Sequence, residues 1–271
     1  MDDGPTSGAA PVGRDRAGTF DPMAPPATGL RIMSQFWAEL AFLHWFVPPA
    51  RVAAMMPARV SPDVVQDGPF AGLTPVALVP FRMVGAGFGR TRSIPYFGTF
   101  WETNVRLYSV DDGGRHGVVF ASLDASRLAV VLGARATLAL PYRFSRMRGY
   151  SRINRGRQEL GWETRTRWPG RAGVTSRVAV RVGEPLPADD LPTFLTARWG
   201  LHTAALGRTL YVPNHHEPWG LNAAQVLLLD DNLLTAAGFP DLAARPPDHV
   251  CFSAGVRTTF GLPSLLPRTA G

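Results

Sequence analysis

The chain has 271 residues, of which 45% are hydrophobic and 18% charged, and its 28 basic against 21 acidic side chains give a formal charge of +7. That composition excludes an intrinsically disordered chain and allows a substantial core. Its apolar stretches, broken by Arg, Pro or Asp, fall short of the roughly 20 residues that a membrane-spanning helix needs. Every basic residue is arginine, so no side chain can supply an amine. Eleven of the arginines fall within residues 143–181 against two acids, Glu159 and Glu163. Such a segment suits phosphate or nucleic acid, and it equally suits a GC-biased genome that has lost lysine codons.

Residues 1–30, rich in Gly, Pro and Ala, read as a disordered leader, and 31–265 as a single domain. The leader lacks the basic start and apolar run of a secretory signal, and the lone Cys251 suits a reducing compartment, so the expected location is the cytoplasm. Cys251 itself, in Val250-Cys251-Phe252, reads as a small core residue.

In chain order, Phe36 to Val47 suits a buried strand ending at Pro48-Pro49, and Arg51 to Met56 a short helix stopped by Pro57. Strands are expected over 70–83 and 99–110. Between them, Gly85-Ala86-Gly87-Phe88-Gly89 follows a strand but precedes no helix and reads as a mobile loop, flanked by Arg90 and Arg92. Asp111-Asp112-Gly113-Gly114 is a hairpin turn into Gly117–Leu123. Leu128, Val131, Leu132 and Leu138 recur at helical spacing, which predicts the main helix over 126–138 with Ser126 as a cap, Asp124 at its entry and Pro141 as its stop.

Next comes a meander. Leu160, Trp162, Thr164, Thr166 and Trp168 alternate with Glu163, Arg165 and Arg167, and Val174, Val178, Val180 and Val182 repeat the pattern opposite Arg177 and Arg181. Most of these arginines are therefore expected on the wet face of an antiparallel hairpin, with both tryptophans turned inward. A second helix is expected over 190–199, then strands over 225–229 and 249–256.

No nucleophile elbow, phosphate loop or dinucleotide fingerprint occurs in a strand-turn-helix context. His215-His216 lacks the spacing and partners of a metal site and reads as an ordered loop. The strongest polar cluster is Glu102-Thr103-Asn104-Val105-Arg106. Alternation puts Glu102, Asn104 and Arg106 on one face of a strand that otherwise reads as buried, where an acid, an amide and a guanidinium must form a satisfied network or line a pocket.

Six motifs in order, Phe42-Leu43-His44-Trp45 with Val47-Pro48-Pro49, Leu78-Val79-Pro80-Phe81-Arg82-Met83, Glu102-x-Asn104-Val105-Arg106-x-Tyr108, Ser122-Leu123-Asp124-Ala125, Leu140-Pro141-Tyr142 and His215-His216-x-Pro218-Trp219, resemble those of the YqjF-like family of bacterial proteins, which is grouped with acetoacetate decarboxylase. The resemblance implies an α+β fold: a curved, largely antiparallel β-sheet or partly closed barrel, with a few packing helices and a pocket beside one of them. It implies that Glu102 corresponds to the pocket glutamate of the decarboxylase. It also sets Tyr142 and Arg143 where the decarboxylase carries its Schiff-base lysine and the lysine that lowers the first one's pKa.

The implied catalytic set is Glu102, Tyr142 and Arg106, with Arg82, Asn104, Arg143, His44, His215 and Trp219 as ligand contacts and no metal or cofactor. Three functions remain open. One is a small-molecule enzyme for an oxo or carboxylate compound that works without a Schiff base. The second is a non-catalytic binder of a small anionic or carbonyl-bearing ligand. The third is nucleic-acid binding through the arginine hairpin, which the inward tryptophans disfavour. No membrane partner is expected, and the oligomeric state is left open.

Overall fold

The computed structural model describes Met23 and residues 30–88, 98–170 and 172–267. The expected leader and the arginines at 90 and 92 lie outside the described residues. Among those described, thirteen strands form one sheet in the order β13-β10-β9-β5-β6-β7-β8-β11-β12-β1-β3-β4-β2. The strands that position the site are β1 (Arg31–Val47), β3 (Thr74–Phe88), β4 (Phe100–Asp111), β5 (His116–Ala125) and β6 (Tyr142–Asn154). The arginine meander is β6, β7 (Arg157–Trp168) and β8 (Thr175–Pro185), and β11 (Leu221–Asp231) and β12 (His249–Gly261) complete the turn of the sheet. Strand β2 is Val60–Pro62, β9 Gly200–Ala205, β10 Arg208–His216 and β13 Ser264–Leu265.

A further pairing of β5 with β4 brings the sheet back on itself, which makes it ring-like. Nearly all neighbours are antiparallel, as expected, while β5 runs parallel to both β6 and β9. Alternation then buries β1, β3 and β4 on both faces. Leu43, Trp45, Leu78, Val105 and Leu107 join Leu160, Trp162, Val178 and Val180 in one interior. Phe42, Phe81, Phe100 and Tyr108 face the other, together with Val131 of α2 (Leu128–Leu138) and Phe194 and Leu195 of α3 (Asp190–Thr196). Cys251 is fully buried in this second cluster, and burial lifts its thiol pKa to about 12, so it behaves as an inert core residue.

Several expectations are corrected. Gly85 to Phe88 continue β3 and pair with β1 instead of forming a loop, so the strand over 70–83 starts later and runs further. Ser126 does not cap α2; its hydroxyl accepts a hydrogen bond from the Trp101 amide, and Arg127 holds the cap position without a side-chain capping bond to the helix. Asp124 lies within β5 rather than at the helix entry. Only Val131 of α2 is fully buried, leaving Leu128 and Leu132 exposed. Trp162 is buried as expected, but Trp168, at the end of β7 beyond the bulge opposite Phe144/Ser145, is 48% exposed under the Arg135 guanidinium. The His215-His216 pair ends β10 rather than occupying a loop, although His216 does bond to backbone.

One bulge decides which tryptophan reaches the second interior. Between Ala38 and Leu43 the pairing of β1 with β3 shifts at Glu39, whose φ is +55°, so Trp37 packs in the same cluster as Leu40 and Phe42 despite its odd number. Opposite this bulge Gly255 has φ +140°, and a Cβ there would stand 2.3 Å from the Trp37 carbonyl oxygen. Gly255→Ala is therefore expected to cost about 2 kcal/mol or more. A urea midpoint equal to the parent's would show that the strand crossing does not need this glycine.

Candidate functional site

The polar face of β4 points into the second interior. Glu102, Asn104 and Tyr108 are buried, and Arg106 is half-buried. Tyr142, at the start of β6, is half-buried as a residue, but its hydroxyl reaches inward and donates to Glu102 Oε2 at 2.9 Å. Burial raises the Glu102 pKa to about 7 against the pull of hydrogen bonds from Tyr142 and Asn104, and nearby Asp124 adds to the rise. The Tyr142 phenol is itself held well above its usual pKa by burial and by Glu102. It therefore stays a neutral donor while Glu102 changes state near pH 7.

Arg106 lies 5.0 Å over the Phe42 ring and donates to the Tyr108 hydroxyl at 3.0 Å. That hydroxyl gives its single proton to the Leu195 carbonyl at 3.0 Å. His44 Nε2, 2.8 Å from the same oxygen, must then be the donor to it, which leaves His44 Nδ1 to accept from His249 at 3.4 Å. His44 is fully buried, and burial together with the charges of His249, Arg106 and Arg198 keeps it neutral, its pKa well below the usual value.

Trp219 stacks on Trp37 with centroids 6.0 Å apart and meets Phe42 edge-on at 5.3 Å. It also flanks His216, whose pKa burial lowers to about 4. Around this interior, Trp37 Nε1, Trp219 Nε1, Arg106 Nε and Asn104 Oδ1 are buried without a hydrogen-bond partner among the described residues. Three donors and one acceptor are thus left open in the interior that holds the Glu102 carboxyl group.

Glu102, Asn104, Arg106, Tyr142, His44 and Trp219 thus share one interior. Three expected contacts do not join them. Arg82 pairs with Trp101, so it takes the face of the sheet opposite Glu102. Arg143 is the strand neighbour of Tyr142 and alternates away from it, beside Asp124. His215 likewise turns away from His216, in register with Thr259.

Two groups escaped the sequence reading. Tyr108 continues the alternation of Glu102, Asn104 and Arg106, a signal that was there to extend. Asp124 accepts hydrogen bonds from Ser145 (2.6 Å) and Thr166 (2.7 Å) inside the first interior, and nothing local announces that network. Among the described residues, no group of three His, Cys, Asp or Glu side chains could hold a metal ion. No helix of those residues is long and apolar enough to cross a membrane.

The ring-like sheet has the fold of acetoacetate decarboxylase-like proteins of solved structure. An acetoacetate decarboxylase-like enzyme from Sphingomonas wittichii RW1 aligns with TM-score 0.57 at 15% identity, covering 88% of this chain and 93% of that one. Acetoacetate decarboxylase from Legionella pneumophila aligns with TM-score 0.55 at 10% identity, covering 89% of each chain. The chain belongs to the DUF2071 family, described as an uncharacterized conserved protein, which it matches over residues 34–257. It is 28% identical over 213 residues to the uncharacterized protein YqjF of Bacillus subtilis (strain 168), covering 78% of this chain and 83% of the relative.

Because Glu102 is protonated more readily folded than unfolded, its contribution to stability is full below about pH 4.5 and is lost as pH rises through about 7. A displacement of that size corresponds to about 3 kcal/mol. Glu102→Gln, which cannot ionise, should therefore gain on the parent by up to that amount between about pH 4.5 and 8. Urea titrations of both proteins across that range check this, and parallel curves would mean that Glu102 titrates normally. Tyr142→Phe, which removes a bond that favours the carboxylate, should raise the Glu102 pKa further, read from the carboxyl stretch in the infrared.

Proposed function

We propose that the chain acts on a small oxo or carboxylate compound by proton transfer at Glu102, with no covalent amine intermediate. The observation that carries this reading is the Glu102 carboxyl group, buried, titrating near pH 7 and held by the Tyr142 hydroxyl. A group with that pKa is present in both protonation states at neutral pH, which suits it to take a proton from carbon and return it. Arg106, always charged and with a buried N–H to spare, would hold the carboxylate or the oxyanion that forms as the proton leaves. Asn104 Oδ1 and the indole N–H groups of Trp37 and Trp219 would fix the ligand's orientation.

The shared fold supports the substrate class, since acetoacetate decarboxylase by its name acts on an oxo acid. The route must differ, because the chain has no lysine and Tyr142 takes the place that the resemblance gives to the nucleophile. A second reading, a binder that does no chemistry, is favoured by how closed the site is. Glu102 is 3% exposed, and neither it nor Tyr142 lines the surface cleft of about 550 Å3 or the one of about 60 Å3 that reaches Trp219 and His216. We assign the chain to the cytoplasm on its single buried cysteine.

The test pairs binding with turnover. Full-length protein is screened by thermal shift against a panel of 2-oxo and 3-oxo acids, and any that bind are followed in D2O for exchange of the protons next to the carbonyl. The expected outcome is exchange by the parent, with Glu102→Gln losing at least about a hundredfold of the rate while keeping affinity within about threefold. Binding without exchange would establish the binder, and no binding by any oxo acid would remove the substrate class.

A further inference from the structure

The smaller surface cleft adjoins the interior that holds Glu102, and Trp219 belongs to both. It lines the cleft beside Pro218 and Leu221. The same ring stacks on Trp37, with centroids 6.0 Å apart, and meets Phe42 edge-on at 5.3 Å. Trp37 in turn lies 6.0 Å from the Phe81 ring, and Phe81 is the β3 partner of Glu102, on the same face of the sheet. Phe42 lies under the Arg106 guanidinium. One aromatic layer, Trp219 over Trp37 and Phe42, therefore stands between the cleft and the groups of the site.

That layer is the part of the surround that can open. Residues 217–220 form neither helix nor strand between β10 and β11, and the Trp219 side chain is held by the rings of Trp37, Phe42 and His216. Strands β1, β3 and β4, by contrast, are tied by ladder hydrogen bonds that would have to break. What the cleft is made of then decides what can lie in it. Leu186, Pro187 and Ala188, which join β8 to α3, wall it together with Pro218, Trp219 and Leu221, and its lining contains no Asp, Glu or Arg. The Thr196 hydroxyl is taken up by the Pro192 carbonyl at 2.7 Å, and His216 gives its Nδ1 proton to the Glu217 carbonyl at 2.8 Å. Burial holds the His216 pKa at about 4, so its ring adds no charge near neutrality. A hydrocarbon is favoured in this cleft, and a charged group is not.

We propose that the smaller cleft is the mouth of the Glu102 site and holds the tail of its substrate, an oxo acid with a short, uncharged aliphatic side chain. The acid end lies at Arg106 and the apolar end against Trp219, which turns aside to admit it. The acid end rests on the reading of Glu102 as the proton-transfer group; the place of the tail does not. The length of the tail follows from the space. A cleft of about 60 Å3 has room for about four water-sized groups at roughly 15 Å3 each, hence for a tail of about four carbons. Carbons beyond that emerge into water and gain nothing.

The test is calorimetric titration of the full-length protein with the unbranched 2-oxo acids from pyruvate to 2-oxooctanoate, each also followed for proton exchange in D2O. Affinity is expected to rise about fourfold per methylene as far as 2-oxohexanoate and to level off beyond it. 2-Oxoglutarate, which carries a second carboxylate where the tail would lie, should bind at least about tenfold more weakly than 2-oxohexanoate. Ala188→Gln, on the exposed rim of the cleft, should flatten the series while leaving pyruvate within about twofold of its affinity for the parent. A flat series in which pyruvate binds and exchanges as well as 2-oxohexanoate overturns the role of the cleft and leaves the reaction at Glu102 standing. So does tighter binding of the diacid, or a slope that Ala188→Gln does not change. A rising series with no exchange by any acid keeps the cleft and removes the reaction, and binding by none of the acids overturns both.

Discussion

Strand β4 has no wet face. The sheet closes through its pairing with β5, and once closed it leaves Thr103, Val105 and Leu107 in one interior and Glu102, Asn104 and Tyr108 in the other. A polar residue on such a strand cannot be solvated, so each must find a partner within the fold or hold a ligand. Glu102 finds Tyr142 and Asn104, both neutral, and with no cation bonded to it the carboxyl group moves up toward pH 7. The guanidinium four residues on is not spent on that acid. Arg106 is committed to Tyr108 and the Phe42 face, which keeps the strand's cation and its acid apart in role although they share a face.

Much of this is legible in the sequence because it depends on period two. The alternation of Glu102, Asn104 and Arg106, and of the arginines against the buried row Leu160, Trp162, Thr164 and Thr166, follows from local spacing and holds in the fold. What failed depends on long-range register. Arg82 and Glu102 both flank the second interior in the linear motif order, but the pairing Arg82↔Trp101 sends them to opposite faces. Trp37 reaches the interior only because a bulge at Glu39 flips its strand, and Trp168 leaves it because its strand outruns the ring. A one-residue shift exchanges the two faces of a strand, and no window of sequence shorter than the pairing itself contains that information.

One histidine singled out in the sequence shows the same limit from another side. His44, in an aromatic run, is a buried hydrogen-bond donor that orders the Tyr108 hydroxyl, and through it the Arg106 side chain. Its role follows from proton arithmetic at one oxygen: Tyr108 has one proton, Leu195 takes it, and both His44 and Arg106 must donate. Residues 64 and 87 positions apart in the chain set that role, so residue type alone predicts only that His44 is buried.

The missing lysine gives the fold a consistent chemistry. An amine at the start of β6 would make the interior nucleophilic; a phenol there makes it a donor, and Glu102, with no ammonium beside it to hold it ionised, becomes the group that changes state near neutrality. Arginine cannot take over the nucleophile's task because it stays protonated, but it is well suited to holding oxyanions. The guanidinium that faces this interior, Arg106, is half-buried and bonded to the Tyr108 hydroxyl. Which groups meet in that interior follows from where β4 and β6 place their alternate side chains.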